Sequence, residues 1–247
     1  MANHTPRKTI LITGASSGIG KATALAAAAA GWQVYACGRD QQRLDALAQQ
    51  STNITTLAFD LTDRTSCQLV LGKLLVDVVL LNAGTCEYID VERWDSEAFK
   101  RVFDANFFSV VYCVEALLPN LSAGKQLLIV DSLARLLPFT RSEAYGASKA
   151  ALFYLAQSLA VDLASRGVIV KTLSPGFVTT PLTAKNTFAM PMQITAEQAA
   201  QAILASINRR GAAFYFPLVF SRILRLLALL PLSWQRSLCK HLKQQEI

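Results

Sequence analysis

The chain is predicted to be a single α/β domain, a doubly wound parallel sheet with helices on both faces and an extra helical tail at the C-terminus. Three observations predict it. A short apolar strand at residues 10–12 runs into a glycine turn that opens an alanine-rich helix over residues 21–30. Strand-like apolar runs then recur at 32–37, 55–59, 76–81, 126–130 and 168–173, with helical stretches between them. The 247 residues, 52% of them hydrophobic, supply one large core rather than two small ones, and a charged content of only 17% excludes disorder.

The first element is the most informative. Gly14, Gly18 and Gly20 are spaced Gly-x-x-x-Gly-x-Gly, with Thr13 before them and Ser16, Ser17 and Ile19 among them. A strand entering such a turn at a helix start presents unpaired backbone N–H groups and the positive end of the helix, which together cradle phosphate. A Cβ there would block the tight turn, the approach of a pyrophosphate, or the packing of helix on strand.

The next strand ends at Gly38-Arg39, where dinucleotide folds place an acid for the adenosine ribose. A small residue followed by a guanidinium suits a 2′-phosphate held by two parallel hydrogen bonds, although Asp40 beside it works against this. NADP(H) is therefore expected over NAD(H). The strand at 55–59 leads into Asp60-Leu61, where Asp60 suits a helix N-cap, and a short helix follows at 65–75. Residues 76–81 form an apolar run broken only by Asp77, as in a central parallel strand, and end in Asn82-Ala83-Gly84.

Residues 99–118 have helical apolar spacing and carry Asn106 among apolar neighbours. Ser132 lies just past the C-terminal end of the strand at 126–130, where ligands meet open α/β sheets. Tyr145 and Lys149 then share one face of a long helix reaching about residue 166. A free phenol has a pKa near ~10, so a neighbouring ammonium that favours the phenolate fits it for acid–base work. Beyond the sixth strand, Pro175-Gly176 and Val178 lead to Thr180. A loop at 181–194 is placed to cover substrate, and a capped helix runs over 195–208.

Thr13 to Gly20, Asn82-Ala83-Gly84, and Ser132 placed thirteen residues before Tyr145-Gly146-Ala147-Ser148-Lys149 resemble the pattern of the short-chain dehydrogenase/reductase family, over residues 8–211. One departure is Leu81, where the family usually has a first asparagine. The resemblance implies a Rossmann-type oxidoreductase that interconverts a carbonyl and an alcohol. It implies that Tyr145 moves the proton, Ser132 holds the oxygen, Lys149 lowers the tyrosine pKa and grips the ribose, and Asn106 supports a water. It further implies cofactor contacts from Asp60 and Leu61 at the adenine, from Asn82, Ala83 and Gly84, and from Pro175, Gly176, Val178 and Thr180 beside the nicotinamide. Pairing of the two long helices across a two-fold axis implies a homodimer or homotetramer, in keeping with apolar residues on more than one face of each.

Composition narrows the alternatives. Cys37, Cys67, Cys86, Cys113 and Cys239 form no Cys-x-x-Cys pair, and His4 and His241 lie in the terminal segments, so no metal site is expected. With no secretory leader visible, reduced thiols and a cytoplasmic place are expected. The net charge of +7 is concentrated from Arg209 onward, where seven basic residues face one acid, Glu246, which argues against a nucleic-acid surface. Epimerase or dehydratase chemistry on sugar nucleotides is disfavoured by the glycine spacing and the short C-terminal region. A cofactor-binding regulator or scaffold without turnover is disfavoured by the intact Asn106, Ser132, Tyr145 and Lys149.

Residues 212–247 read as a separate basic, amphipathic extension. Residues 218–230 are apolar around most of a helix, Pro231 breaks it, and Trp234, Leu238 and Leu242 recur at i, i+4 and i+8. Two arginines and two prolines argue against a membrane span over 212–232. Peripheral membrane contact in the plane of the surface, a lid over the substrate cleft, and contact with a partner subunit all remain open. The apolar loop and tail point to a hydrophobic carbonyl such as a steroid, a fatty acyl compound or a retinoid-like compound.

Overall fold

The computed structural model describes residues 7–186 and 188–244, with the backbone alone for 243 and 244. His4, Glu246 and the Lys243 side chain therefore lie outside the described residues.

Apolar runs buried on both faces suit the central strands of a parallel sheet, and seven strands form one here. In chain order the elements begin β1 (Thr9–Thr13), α1 (Gly18–Ala29), β2 (Gln33–Gly38), α2 (Gln41–Ala48), β3 (Ile54–Ala58), α3 (Arg64–Leu71) and β4 (Val78–Leu81). They continue with α4 (Ser96–Phe103), α5 (Ser109–Leu117), β5 (Gln126–Val130), α6 (Glu143–Asp162) and β6 (Ile169–Pro175). The short strands β7 (Val178–Thr179) and β8 (Ile194–Thr195) pair with each other. Last come α7 (Ala196–Asn208), β9 (Ala213–Phe216), α8 (Leu218–Leu227) and α9 (Leu232–Gln244).

The sheet order is β3-β2-β1-β4-β5-β6-β9, parallel throughout. The winding direction reverses between β1 and β4, which opens a crevice at their C-terminal ends. One core layer lies between the sheet and α1, α2 and α7. The other lies between the sheet and α3, α5 and α6.

Three features go beyond the elements expected from sequence. The short helix α2 is started by Asp40, whose carboxylate accepts from Arg43 N at 3.0 Å, and it buries Leu44 and Leu47. The helix expected at 99–118 carries a π-helical turn, Asp104–Phe108, between α4 and α5, so one extra residue is accommodated where Asn106 turns inward. β9 joins β6 in the sheet, with Leu173 opposite Phe214, so residues 213–216 of the expected extension belong to the central layer. The helical stretch Ser96–Asn120 has the length and hydropathy of a membrane span, yet Val102, Val110, Val114 and Leu117 along it are buried in the protein.

Candidate active site

The crevice is a cleft of about 520 Å³ running from the first βα turn to the start of α6. Gly14, Ser16, Ser17, Gly18 and Ile19 line one part, Arg39, Asp60 and Leu61 a second, and Asn82, Ala83, Gly84, Tyr145, Lys149, Pro175 and Thr180 the rest. Gly14 and Gly18 have φ of 68° and 52°, which side-chain-bearing residues rarely adopt. A Cβ on Gly18 would lie 3.2 Å from Thr180, so the cradle is open only because glycine stands there. The structure thus fits a dinucleotide with its phosphates at the turn.

Other expected contacts face inward. Thr13 is buried, and its Oγ1 accepts from Asn82 N at 2.9 Å and Ala83 N at 3.1 Å, while Asn82 Nδ2 donates to Thr13 O at 3.1 Å. Gly20 packs helix on strand, since a Cβ there would fall 2.2 Å from Gly14 O. Val178 is buried, and Gly176 lies under the ring of Phe220. Thr180 Oγ1 is within 3.2 Å of Thr183 Oγ1.

Arg39 is exposed at the cleft edge, with no ion pair among the described residues. Asp40, the neighbour that would oppose a phosphate, is engaged by Arg43, whose Nε lies 3.1 Å away. Arg43 lines the cleft beside Arg39, a second cation that sequence reading missed because α2 went unrecognised. The usable signal was Asp40 as an N-cap three residues ahead of it.

At the other end Ser132 lies just past β5 and caps a 3₁₀ turn, Leu133–Arg135, with its Oγ accepting from Ala134 N at 3.1 Å. Burial pushes the Tyr145 phenol well above its ordinary pKa, with a hydrogen bond to Ser132 pulling the other way. Lys149 Nζ donates to Val130 O at 3.0 Å and lies 5.8 Å from the Tyr145 ring centre. Burial pulls its own pKa down to about 8, against the attraction of Asp131.

Asn106 is fully buried and its amide is spent on protein. Its Oδ1 accepts from Thr85 N at 2.7 Å, and its Nδ2 donates to Thr85 O at 3.0 Å and Ser148 Oγ at 2.9 Å. Ser148 Oγ in turn donates to Tyr145 O at 2.7 Å, so Asn106 reaches the tyrosine through Ser148.

Sequence reading also missed a polar layer beneath this end. Asp131 is buried and ion-pairs with Arg135 four residues on, and it accepts from Ser174 Oγ at 2.5 Å. Burial raises its pKa, and Arg135 opposes the rise. The Arg135 guanidinium lies 3.5 Å from the Phe153 ring centre. Four rings form a chain that reaches Gly176 through Phe220: Tyr88 contacts Phe188, Phe188 contacts Phe177, and Phe177 contacts Phe220, with ring centres 5.6–6.1 Å apart.

Comparison with known proteins agrees with this architecture. A sequence model described as short chain dehydrogenase matches residues 8–208. An uncharacterized oxidoreductase of Myxococcus xanthus (strain DK1622) is 34% identical over 91% of this chain and 93% of its own length. A serine 3-dehydrogenase of Agrobacterium fabrum (strain C58 / ATCC 33970) is 32% identical, covering 71% of this chain and 74% of its own. The solved structure of a short-chain dehydrogenase from Sphingobium yanoikuyae in complex with NADPH superposes with a TM-score of 0.78 at 25% identity, over 91% of this chain and 96% of that one. The chain belongs to the short chain dehydrogenase family and is an oxidoreductase.

The ribose-gripping role expected of Lys149 predicts a pH limb for its ammonium. Because the ammonium is lost as pH rises through about 8, kcat/KM for the cofactor, which reports the free enzyme, is expected to fall above that pH. Asp131→Asn takes away the anion that favours the charged lysine and leaves Arg135 beside it, so the limb is expected to move to lower pH. A limb unmoved in that variant would assign it to another group.

Proposed function

We propose that the protein is an NADP(H)-dependent reductase or dehydrogenase that interconverts a carbonyl and an alcohol on a hydrophobic substrate, with Tyr145 as the proton donor and acceptor. The observation that carries this reading is the placement of Tyr145 and Lys149 at one end of a cleft whose other end holds the glycine turn and Arg39, with Ser132 near enough to Tyr145 to pull its pKa down. A bound nicotinamide would supply or accept the hydride at the carbonyl carbon. The NADPH complex of the Sphingobium relative supports that choice of cofactor.

The chain's own residues divide the work. The turn at Gly14, Ser16, Ser17, Gly18, Ile19 and Gly20, held from behind by Thr13, would receive the phosphates through backbone N–H groups. Arg39 and Arg43 would hold a 2′-phosphate, Asp60 and Leu61 the adenine, and Asn82, Ala83 and Gly84 the close approach of the ring system. Pro175, Gly176, Val178 and Thr180 would shape the nicotinamide end, and Lys149 the ribose.

A phenol is protonated at neutral pH, so the site begins a reduction with a proton to give. Ser132 holds the substrate oxygen, and the proton leaves Tyr145 Oη for that oxygen. Asn106 acts as a positioning residue, fixing the start of α6 through Ser148. The wall of Tyr88, Phe177, Phe188 and Phe220 favours an apolar substrate.

Turnover tests the chemistry. With NADPH and the best substrate from a carbonyl panel, Tyr145→Phe is expected to bind cofactor normally and lose at least about 10²-fold in kcat. Near wild-type turnover in that variant would overturn the mechanism.

Titration tests the cofactor. The wild type is expected to bind NADPH more tightly than NADH by roughly 10- to 100-fold, the worth of a charge-assisted contact. Arg39→Ala is expected to shrink that preference, and equal affinities in the wild type would remove the assignment.

Assembly belongs to the same reading. Tyr154 and Val161 on α6 are 79% and 75% exposed, and Phe108 of the π-helical turn is exposed as well. Pairing of these helices across a two-fold axis would cover them. Light scattering at micromolar concentration is expected to give a mass of at least two chains, and a single-chain mass would refute it.

A further inference from the structure

α8 has two apolar faces. Its inner face is accounted for: Leu224 packs with Leu133, Leu137 and Cys239, and Phe220 covers Gly176. Its outer face is not. Val219, Ile223 and Leu226 share that face at helical spacing, with Leu218 before them and Leu229 just beyond the helix. Leu226 and Leu229 are 67% and 82% exposed, and the surface continues to Leu232 and Trp234 at the start of α9. Among these residues sit exposed cations, Arg222 and Arg225 on α8 and Arg236 and Lys240 on α9.

We propose that this outer face of α8 and α9 docks, lying in plane, on an anionic lipid surface. Charge complementarity chooses the occupant. No acidic residue occurs from 198 to 245, so a second copy laid on this face would bring cations against cations with no carboxylate to meet them. Phosphate headgroups supply the missing anions, and long Arg and Lys stems can lie along apolar surface while their heads stay wet. Trp234, 64% exposed, suits the headgroup boundary. Geometry chooses the orientation. Helices of 10 and 13 residues are about 15 and 20 Å long, short of the ~30 Å of a hydrocarbon core, so they lie on the surface and do not cross it.

The inference does not rest on the proposed activity, because its test reads binding. Full-length protein is centrifuged with vesicles of phosphatidylcholine alone or mixed with phosphatidylglycerol, at low and at high salt. Sedimentation with the mixed vesicles is expected at low salt, weakened by high salt and by phosphatidylcholine alone. Arg222→Gln and Arg236→Gln are each expected to weaken binding about fivefold. The double variant Leu226→Glu, Leu229→Glu should bind at least about tenfold more weakly. All four positions are exposed, and an unchanged circular dichroism spectrum confirms the fold in each variant. Wild type left in the supernatant with mixed vesicles at low salt overturns the proposal, as does binding unaffected by the leucine variant. A light-scattering mass that halves in the leucine variant would give the face to a second copy and overturn it too.

Discussion

The cleft depends on how β1 and β4 are joined where the winding reverses. The loops leaving these two strands part in opposite directions, and nothing in the sheet ladder alone holds their ends together. Thr13 does so: its hydroxyl takes two backbone donors from Asn82 and Ala83, and Asn82 returns a side-chain donor to Thr13 O. The same closure brings Gly14 against Ala83, where a Cβ would sit 2.9 Å from Ala83 Cα, and lets Gly20 lie on Gly14 O. Thr13 and Asn82 thus shape the phosphate turn from behind, and the residues that face the cleft follow from that stitching.

A second constraint acts at the catalytic end. Lys149 is buried, and among the described residues Val130 O is its one hydrogen-bond acceptor, an environment that favours the neutral amine. Asp131 is the nearby anion that keeps the ammonium accessible near neutral pH. A carboxylate so buried is itself costly, and Arg135 and Ser174 make it tolerable. Removing one member of such a pair strands a buried charge, which is why Asp131 shapes the site although it contacts the cleft only from its floor.

What was legible in the sequence follows from which constraints are local. The glycine turn announces itself because positive φ at Gly14 and Gly18, and the close approach at Gly20, are demands on single residues. The central strands are legible because burial on both faces forces unbroken apolar runs. The π-helical turn shifts the register by one residue inside a run that is apolar on both sides of it, so Asn106 is visible while its turn toward Thr85 and Ser148 is not. The four residues of β9 merge into an apolar tail, and only their ladder to β6 marks them as a strand. Asp131 and Arg135 are four apart with no helix expected there, and their pairing comes from the fold around them.

The same ladder explains why the tail cannot be treated as an appendage. β9 places Tyr215 between two cations, with Arg135 Nη2 at 3.4 Å from its hydroxyl and the Arg225 guanidinium 4.5 Å from its ring centre. Arg135 is also the partner of Asp131, which sits beside Ser132 at the end of β5. A continuous line of contacts therefore runs from α8, through β9 and Arg135, to Asp131, the chain neighbour of Ser132. The face proposed to dock and the candidate active site are therefore joined through β9 and are not separate units.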